Sequence, residues 1–202
     1  MARAYHTCII MVMKTVLFVP GFMEDLTSRD YKKTIKAIEE KGYKVIFVPI
    51  KWKRTTINNW VEELEKVYAK FDSKNVVLAG FSFGSMTAFL AATKRNPLRL
   101  WLFSLSPYFS DDMSRMKKLW LKYIGKHRDV AFSKLDFNKL AEKIKCKTLI
   151  FVGEAEAKKY PLLDNRTKVA NKKIKNSRVI VVPGCKHDVA DDRYIVAIEE
   201  NI

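Results

Sequence analysis

The pentapeptide GFSFG at positions 80–84 places one serine between two glycines with the spacing G-x-S-x-G. It follows the apolar run 75–79 and precedes residues 85–94, whose alanines and large apolar side chains are typical of a buried helix. Between a strand and a helix, flanking glycines allow a sharp turn that exposes the serine hydroxyl. Amides at the start of the helix would favour an anion there. The spacing predicts that Ser82 is a nucleophile, and the alternative is a turn that only connects two elements.

A serine hydroxyl needs a neighbouring base to act as a nucleophile. The chain has three histidines, of which His6 precedes the first predicted strand and His127 lies in a lysine-rich stretch that we expect to be exposed. His187 follows the last predicted strand, at the edge of the sheet where Ser82 is also expected. This position favours His187 as the general base, and the alternative is an ordinary surface histidine.

A third group should orient the imidazole. The order serine, acid, histidine along the chain places that acid in the loop after the strand that ends at Val152. The loop carries two carboxylates, Glu154 and Glu156. The residues alone leave both open, because each could equally belong to a salt bridge on the surface.

Two backbone N–H groups are needed to bind the oxyanion that forms when a serine attacks a carbonyl. One expected donor is the amide of Phe83, directly after the candidate nucleophile. The other is expected in the loop after the first strand, where Gly21 permits close approach and the Phe22 amide is the natural donor. The rings of Phe22, Phe81 and Phe83 could form an apolar wall, although such aromatic residues are more often plain core.

The elements that would position these residues alternate between apolar strands and amphipathic helices. Six strands are predicted, at 15–19, 44–48, 75–79, 98–104, 147–152 and 178–182. Helices are predicted at 28–41 with Ser28 as a possible N-cap, at 57–71, at 85–94 and from about 191 to the end of the chain. Strands that are apolar throughout and alternate with helices indicate an α/β fold, with a mostly parallel sheet covered on both faces. Its sites should lie at the carboxyl ends of the strands.

The segment 105–146 fits this alternation least well. We expect helices over 113–124 and 136–145 and interpret the segment as a small cap over the site, since it is too short to bury its own core. Residues 1–12 are interpreted as an N-terminal extension that precedes a single domain over 13–202.

The positive net charge of the chain raises the question of anionic binding partners. The chain has 38 Lys and Arg against 22 Asp and Glu, a net charge of +16, which could serve nucleic acid, an anionic membrane surface or an anionic substrate. The excess is dispersed in short clusters at 51–54, 117–118 and 172–175, without the signature of a nucleic-acid-binding module, so no specific nucleic acid is predicted. A solvated lysine-rich surface is the simpler interpretation, and weak association with anionic surfaces is the alternative.

The number and spacing of the cysteines indicate the redox state of the compartment in which the chain folds. Cys8, Cys146 and Cys185 are an odd number without paired spacing, which favours free thiols and a cytoplasmic protein. Cys185 lies two residues from His187 and is interpreted as a small buried thiol.

Four segments together resemble the α/β-hydrolase superfamily over about residues 14–202: 16–22, 80–84, 144–156 and 183–188. In that superfamily the acid of the catalytic triad stands in a pattern similar to G-x-x-D. The sequence GEAE at 153–156 matches it with Glu156 on the acid position, a Glu in place of Asp. The resemblance therefore implies Glu156 as the triad acid and leaves Glu154 as the alternative. The usual His-Gly before the oxyanion donor is Pro-Gly here, which leaves the backbone donor intact.

With its short cap, the chain is similar to small, lightly lidded carboxylesterases. The resemblance implies a serine hydrolase that cleaves esters or thioesters of small to medium acyl substrates and needs no metal or cofactor. Ser82 would attack the carbonyl, His187 would carry the proton, and Glu156 would stabilise the imidazolium. The alternative is a non-catalytic or weakly catalytic binding protein on the same fold.

Overall fold

A computed structural model of the chain describes residues 13–28 and 30–202, so the predicted extension 1–12 lies outside the described residues. Six strands form one sheet: β1 (Thr15–Val19), β2 (Lys44–Phe47), β3 (Val76–Phe81), β4 (Arg99–Phe103), β5 (Lys147–Gly153) and β6 (Ser177–Val182). Their order is β2-β1-β3-β4-β5-β6, and every neighbouring pair is parallel. The predicted parallel sheet is confirmed.

The helices among the described residues surround this sheet. They are α1 (Tyr31–Glu40), α2 (Ile57–Tyr68), α3 (Phe83–Lys94), α4 (Ser110–Met113), α5 (Lys118–Ile124), α6 (Lys126–Phe132), α7 (Phe137–Ala141), α8 (Glu154–Lys159), α9 (Pro161–Lys173) and α10 (Asp192–Asn201). Within the described ranges, no helix combines the length and the apolar character needed to cross a membrane.

Apolar side chains fill both faces of the sheet because successive residues of a strand point to opposite sides. Leu17 and Leu78 pack in the cluster that α2 and α3 cover. Val16 and Val77 pack on the other face, in the cluster that α1 and α10 cover. Each fully buried Val or Leu contributes about 1.5–3 kcal/mol, so the register that puts the strand ends side by side is strongly specified.

Helix α1 begins later than the sequence pattern predicts. Asp30 occupies its N-cap position. Ser28 instead closes a turn before the helix, since its Oγ accepts from the N–H of Asp25 at 2.8 Å and donates to Oδ1 of the same residue at 2.9 Å. The prediction of Ser28 as N-cap is therefore wrong.

The segment 105–146 between β4 and β5 holds four short helices, α4 to α7. The helix predicted over 113–124 is wrong in extent, because α5 starts only at Lys118, and the helix predicted over 136–145 ends at Ala141. The segment nevertheless covers α3, since Phe109, Phe132 and Phe137 lie in the same apolar cluster as α3.

The sequence pattern does not indicate α8 and α9, which are separated by Tyr160 alone. The inward face of α9 carries Arg166 among Leu163, Thr167 and Ala170, all of them buried. A buried arginine and threonine break the apolar periodicity by which an amphipathic helix is recognised. Arg166 tolerates burial because its guanidinium contacts the carboxylate of buried Asp112 at 2.7 Å.

Candidate active site

Ser82 occupies the turn between β3 and α3, as predicted. Its φ of 56° and ψ of −118° are unusual for a residue with a side chain and cost on the order of 1–3 kcal/mol. The N–H of Ser82 donates to the carbonyl of Phe103 at 2.9 Å, which anchors the turn to the end of β4. The strained backbone is therefore held in place by neighbouring structure.

The two glycines of the turn have no room for a side chain. A Cβ on Gly80 would lie 2.3 Å from the backbone of Gly84, and a Cβ on Gly84 would lie 2.2 Å from the carbonyl oxygen of Val19. Both distances are impossible for real atoms, so only glycine fits at either position. The close approach at Gly84 brings the loop that follows β1 against the start of α3.

Glu156 and His187 form a hydrogen bond between Oε1 of the carboxylate and Nδ1 of the imidazole. The Glu156 side chain is fully buried. Its other oxygen, Oε2, accepts from Oγ of Ser104 at 2.8 Å and from the N–H of Gly153 at 3.1 Å. The loop that carries His187 is fixed as well, since the carbonyl of Cys185 accepts from the N–H of Glu156 at 3.2 Å. Both partners are thus oriented by groups around them.

Glu154 faces a different environment. Its carboxylate accepts from Nζ of Lys158 at 2.6 Å and from the N–H of Gly184 at 2.9 Å. The hydrogen bond from Lys158 is the main reason that the pKa of Glu154 is lowered. Of the two candidate acids, Glu156 is the one whose carboxylate contacts His187 in the structure.

Phe81 connects the imidazole with the serine turn. Its ring centroid lies 4.6 Å from that of His187, and the next residue along the chain is Ser82. Phe81 packs in the apolar cluster of α1 and α10, whereas Phe83 packs in the cluster of α2 and α3. The wall expected from three phenylalanines therefore has only Phe22 and Phe83 on one side, because Phe81 is the last residue of β3 whereas Phe83 is the first residue of α3, beyond the sharp turn at Ser82.

The predicted oxyanion donors come from segments that the structure brings into contact. Phe83 is the first residue of α3, where backbone N–H groups have no acceptor within the helix. The rings of Phe22 and Phe83 lie 5.3 Å apart. The N–H of Gly21 donates to the Tyr31 hydroxyl at 2.9 Å, and that hydroxyl donates to Glu24, so the loop that carries Phe22 is fastened to α1.

Three further polar residues surround the site in addition to those predicted from the sequence. Oγ of Ser106 lies 3.1 Å from Oγ of Ser82, and either hydroxyl can donate. Oγ of Ser104 lies 3.2 Å from the hydroxyl of Tyr194, whose pKa burial raises well above its usual range. The sequence does contain a signal for the two serines: they follow β4 directly, at the edge where Ser82 lies.

Comparisons with protein-family profiles and with curated protein sequences found no match. Solved structures do match. Est1E from Butyrivibrio proteoclasticus is 16% identical with a TM-score of 0.78, over 93% of this chain and 86% of that chain. A structure of Est1E with ferulic acid bound is 15% identical with a TM-score of 0.72, over 93% of this chain and 87% of that chain.

Two other solved structures have a similar backbone. The Pyrococcus furiosus esterase PF2001 is 16% identical with a TM-score of 0.67, over 93% of this chain and 80% of that chain. MenH from S. aureus is 17% identical with a TM-score of 0.66, over 92% of this chain and 91% of that chain. At identities this low, the similarity to these structures is one of backbone fold. It agrees with the six parallel strands and the helices on both faces of the sheet. The chain has the fold of the α/β-hydrolases.

Proposed function

We propose that the chain is a serine hydrolase that cleaves carboxylic esters, with Ser82 as nucleophile, His187 as general base and Glu156 as the acid that orients it. The observation that carries the proposal is the hydrogen bond from the buried Glu156 carboxylate to Nδ1 of His187. It leaves Nε2 as the nitrogen that can take a proton from Ser82. The strained turn at Ser82 supports the same assignment, because such strain is concentrated at functional sites.

The reaction starts when Ser82 Oγ attacks the carbonyl carbon of the ester and passes its proton to Nε2 of His187. The resulting imidazolium is stabilised by Glu156, and it returns the proton to the oxygen of the leaving alcohol as the ester C–O bond breaks. A water molecule then attacks the acyl group on Ser82 in the same way and gives its proton to His187. The carboxylic acid leaves as the proton returns to Ser82 Oγ, so the enzyme is regenerated.

The oxyanion of each tetrahedral intermediate is bound by the amides of Phe22 and Phe83. One such donor is worth about 2.7–4 kcal/mol of transition-state stabilisation.

Ser106 has a positioning role in this scheme. A hydroxyl can accept one hydrogen bond while it donates another, so Ser82 Oγ can accept from Ser106 and still donate to His187.

The acyl group is expected beside aromatic side chains. The Phe83 ring lies 4.6 Å from that of Tyr108 and 5.5 Å from that of Phe132, on the side where Phe22 also packs. A site beside such aromatic side chains favours an apolar or aromatic acyl group over a charged one. One Est1E structure has ferulic acid, an aromatic acid, bound, so methyl ferulate belongs in the substrate panel.

The test is hydrolysis of p-nitrophenyl esters of increasing acyl length together with methyl ferulate. We expect turnover by the wild type, and a loss of kcat by a factor of about 10³ or more in Ser82→Ala and in His187→Ala. Ser133→Ala removes an exposed serine and serves as the matched control, with unchanged rates expected. Folded wild-type protein without activity on any ester, or equal rates for wild type and Ser82→Ala, would contradict the proposal.

A further inference from the structure

Helix α5 exposes large apolar side chains on its outward face. Leu119 is 77% exposed, Tyr123 63% and Trp120 43%, whereas Ile124 at the end of the helix is buried. A surface helix normally presents polar residues to water. Apolar side chains clustered on an exposed face, with polar residues around them, mark a site of interaction.

The same segment is strongly basic. Residues 113–128 contain six Lys and Arg and no Asp or Glu. The exposed lysines 117, 118, 122 and 126 form no ion pair with any residue of the described ranges. Some lysines elsewhere form such pairs, for example Lys158 with Glu154 and Lys168 with Asp164, whereas Lys172 and Lys175 form none within the described residues. Arg115 is paired with Asp112 at 3.3 Å, but the four lysines around α5 have no acidic partner within the described part of the chain.

A basic cleft adjoins the helix. Where α5 meets α6, a cavity of about 530 Å³ is lined by Arg54, Thr55, Thr56, Lys126, His127 and Arg128, together with the backbone turn at Gly125. Arg128 is fixed there by donating to the carbonyls of Trp52 at 2.6 Å and Ile124 at 2.9 Å. Hydroxyl and cationic groups around one cavity suit an anionic group such as a phosphate.

We propose that the outward face of α5 and the adjoining cleft form a docking face for an anionic lipid surface. Exposed Leu, Trp and Tyr side chains enter the headgroup region of a bilayer, and a surrounding ring of lysines is attracted to anionic headgroups. The prominent aliphatic Leu119 favours lipid over nucleic acid, because nucleic acid is bound mainly through phosphate contacts and base stacking. The proposal does not depend on catalysis.

The docking face is connected to the candidate active site. The Tyr123 ring lies 6.0 Å from that of Phe22, and Phe22 lies 5.3 Å from Phe83, the residue after Ser82. The Arg128 guanidinium lies 4.9 Å from the centroid of the Phe22 ring on the side of the cleft. Docking would therefore bring the turn that carries Ser82 close to the lipid headgroups.

The proposal is tested by sedimentation of the full chain with vesicles of phosphatidylcholine alone or mixed with phosphatidylglycerol, at low ionic strength. We expect binding at least about tenfold tighter to the mixed vesicles. Lys118→Gln/Lys122→Gln and Leu119→Ala/Trp120→Ala should each lose most of it. The matched control is Lys172→Gln/Lys175→Gln, which removes the same charge from a basic cluster without an exposed large apolar residue and should bind within about twofold of wild type.

Several results would overturn the proposal. Equal binding of both vesicle types would exclude a role for anionic headgroups. A loss in the Lys172 and Lys175 control as large as in the α5 variants would indicate net charge alone. Unchanged binding of Leu119→Ala/Trp120→Ala would exclude insertion of the helix. Binding of inorganic phosphate or of single-stranded RNA without vesicle binding would assign the face to another ligand. All substituted side chains are exposed, and equal thermal unfolding of each variant would verify that folding is intact.

Discussion

The hydroxyl of Ser104 donates a hydrogen bond of 2.8 Å to Oε2 of Glu156. Ser104 directly follows β4, and Glu156 lies in the first turn of α8, which begins directly after the neighbouring strand β5. The bond therefore fastens the candidate acid to the end of β4. Because Oε2 is engaged in this way, Oε1 is the oxygen that faces His187. A carboxylate fixed at both oxygens can hold the imidazole in one orientation and one tautomer.

Substituting each glutamate in turn shows which of Glu154 and Glu156 is the acid of the triad. Glu156→Gln should lower kcat for p-nitrophenyl esters on the order of 10³-fold, since an amide neither stabilises the imidazolium nor fixes the tautomer. Glu154→Gln removes a charge of the same type from a half-buried position that does not contact His187, and it should leave kcat within about twofold. A loss confined to Glu154→Gln would show that the assignment of the acid is wrong.

Removing the hydroxyl of Ser104 tests whether its hydrogen bond to Oε2 orients the Glu156 carboxylate. A hydrogen bond to a charged group is worth about 1.5–3 kcal/mol, so Ser104→Ala should reduce kcat about tenfold or more. KM should change little, because Ser104 is fully buried behind the acid. Steady-state kinetics separate the two parameters. An increase in KM at unchanged kcat would argue against a positioning role for Ser104.

Ser106 offers a second test of positioning. Ser106→Ala should slow acylation by about three- to tenfold, because Ser82 loses the neighbour that lies 3.1 Å from its Oγ. Ser106→Thr keeps the hydroxyl and should recover much of the rate. Stopped-flow release of p-nitrophenol measures acylation directly. Equal rates in wild type and Ser106→Ala would leave Ser106 without a part in the reaction.

The buried cysteines should be inert. Burial raises the pKa of both Cys146 and Cys185 to about 11, so at neutral pH on the order of one thiol in 10⁴ is the reactive thiolate. In a Cys8→Ser background, iodoacetamide should therefore modify the native chain slowly and faster as the pH rises toward that value. It should leave esterase activity unchanged. Rapid inactivation at neutral pH that maps to Cys185 would contradict this account.

The sheet and the positions of Ser82 and His187 could be predicted from the sequence because their signals are local. Runs of apolar residues mark the strands, and the glycines around Ser82 are required by contacts that the structure contains. His187 lies in the loop that follows β6, and the topology alone places that loop at the shared edge of the sheet.

Other features depend on which way a side chain points. Glu154 and Glu156 both lie in the first turn of α8, yet one faces Lys158 and the other faces His187. Sequence spacing alone does not distinguish them unless the turn is known to be helical. The sequence pattern does not indicate helix α9, because an arginine such as Arg166 is expected on the surface unless its buried partner Asp112, more than fifty residues earlier, is known.

Covalent labelling by a fluorophosphonate probe tests the central claim most directly, because the reagent reacts with a serine that a neighbouring base activates. We predict that intact-protein mass spectrometry of the folded wild type shows a single adduct, that peptide mapping assigns it to Ser82, and that Ser82→Ala takes up no probe. A folded wild type without an adduct, or an adduct that persists in Ser82→Ala, would contradict the account.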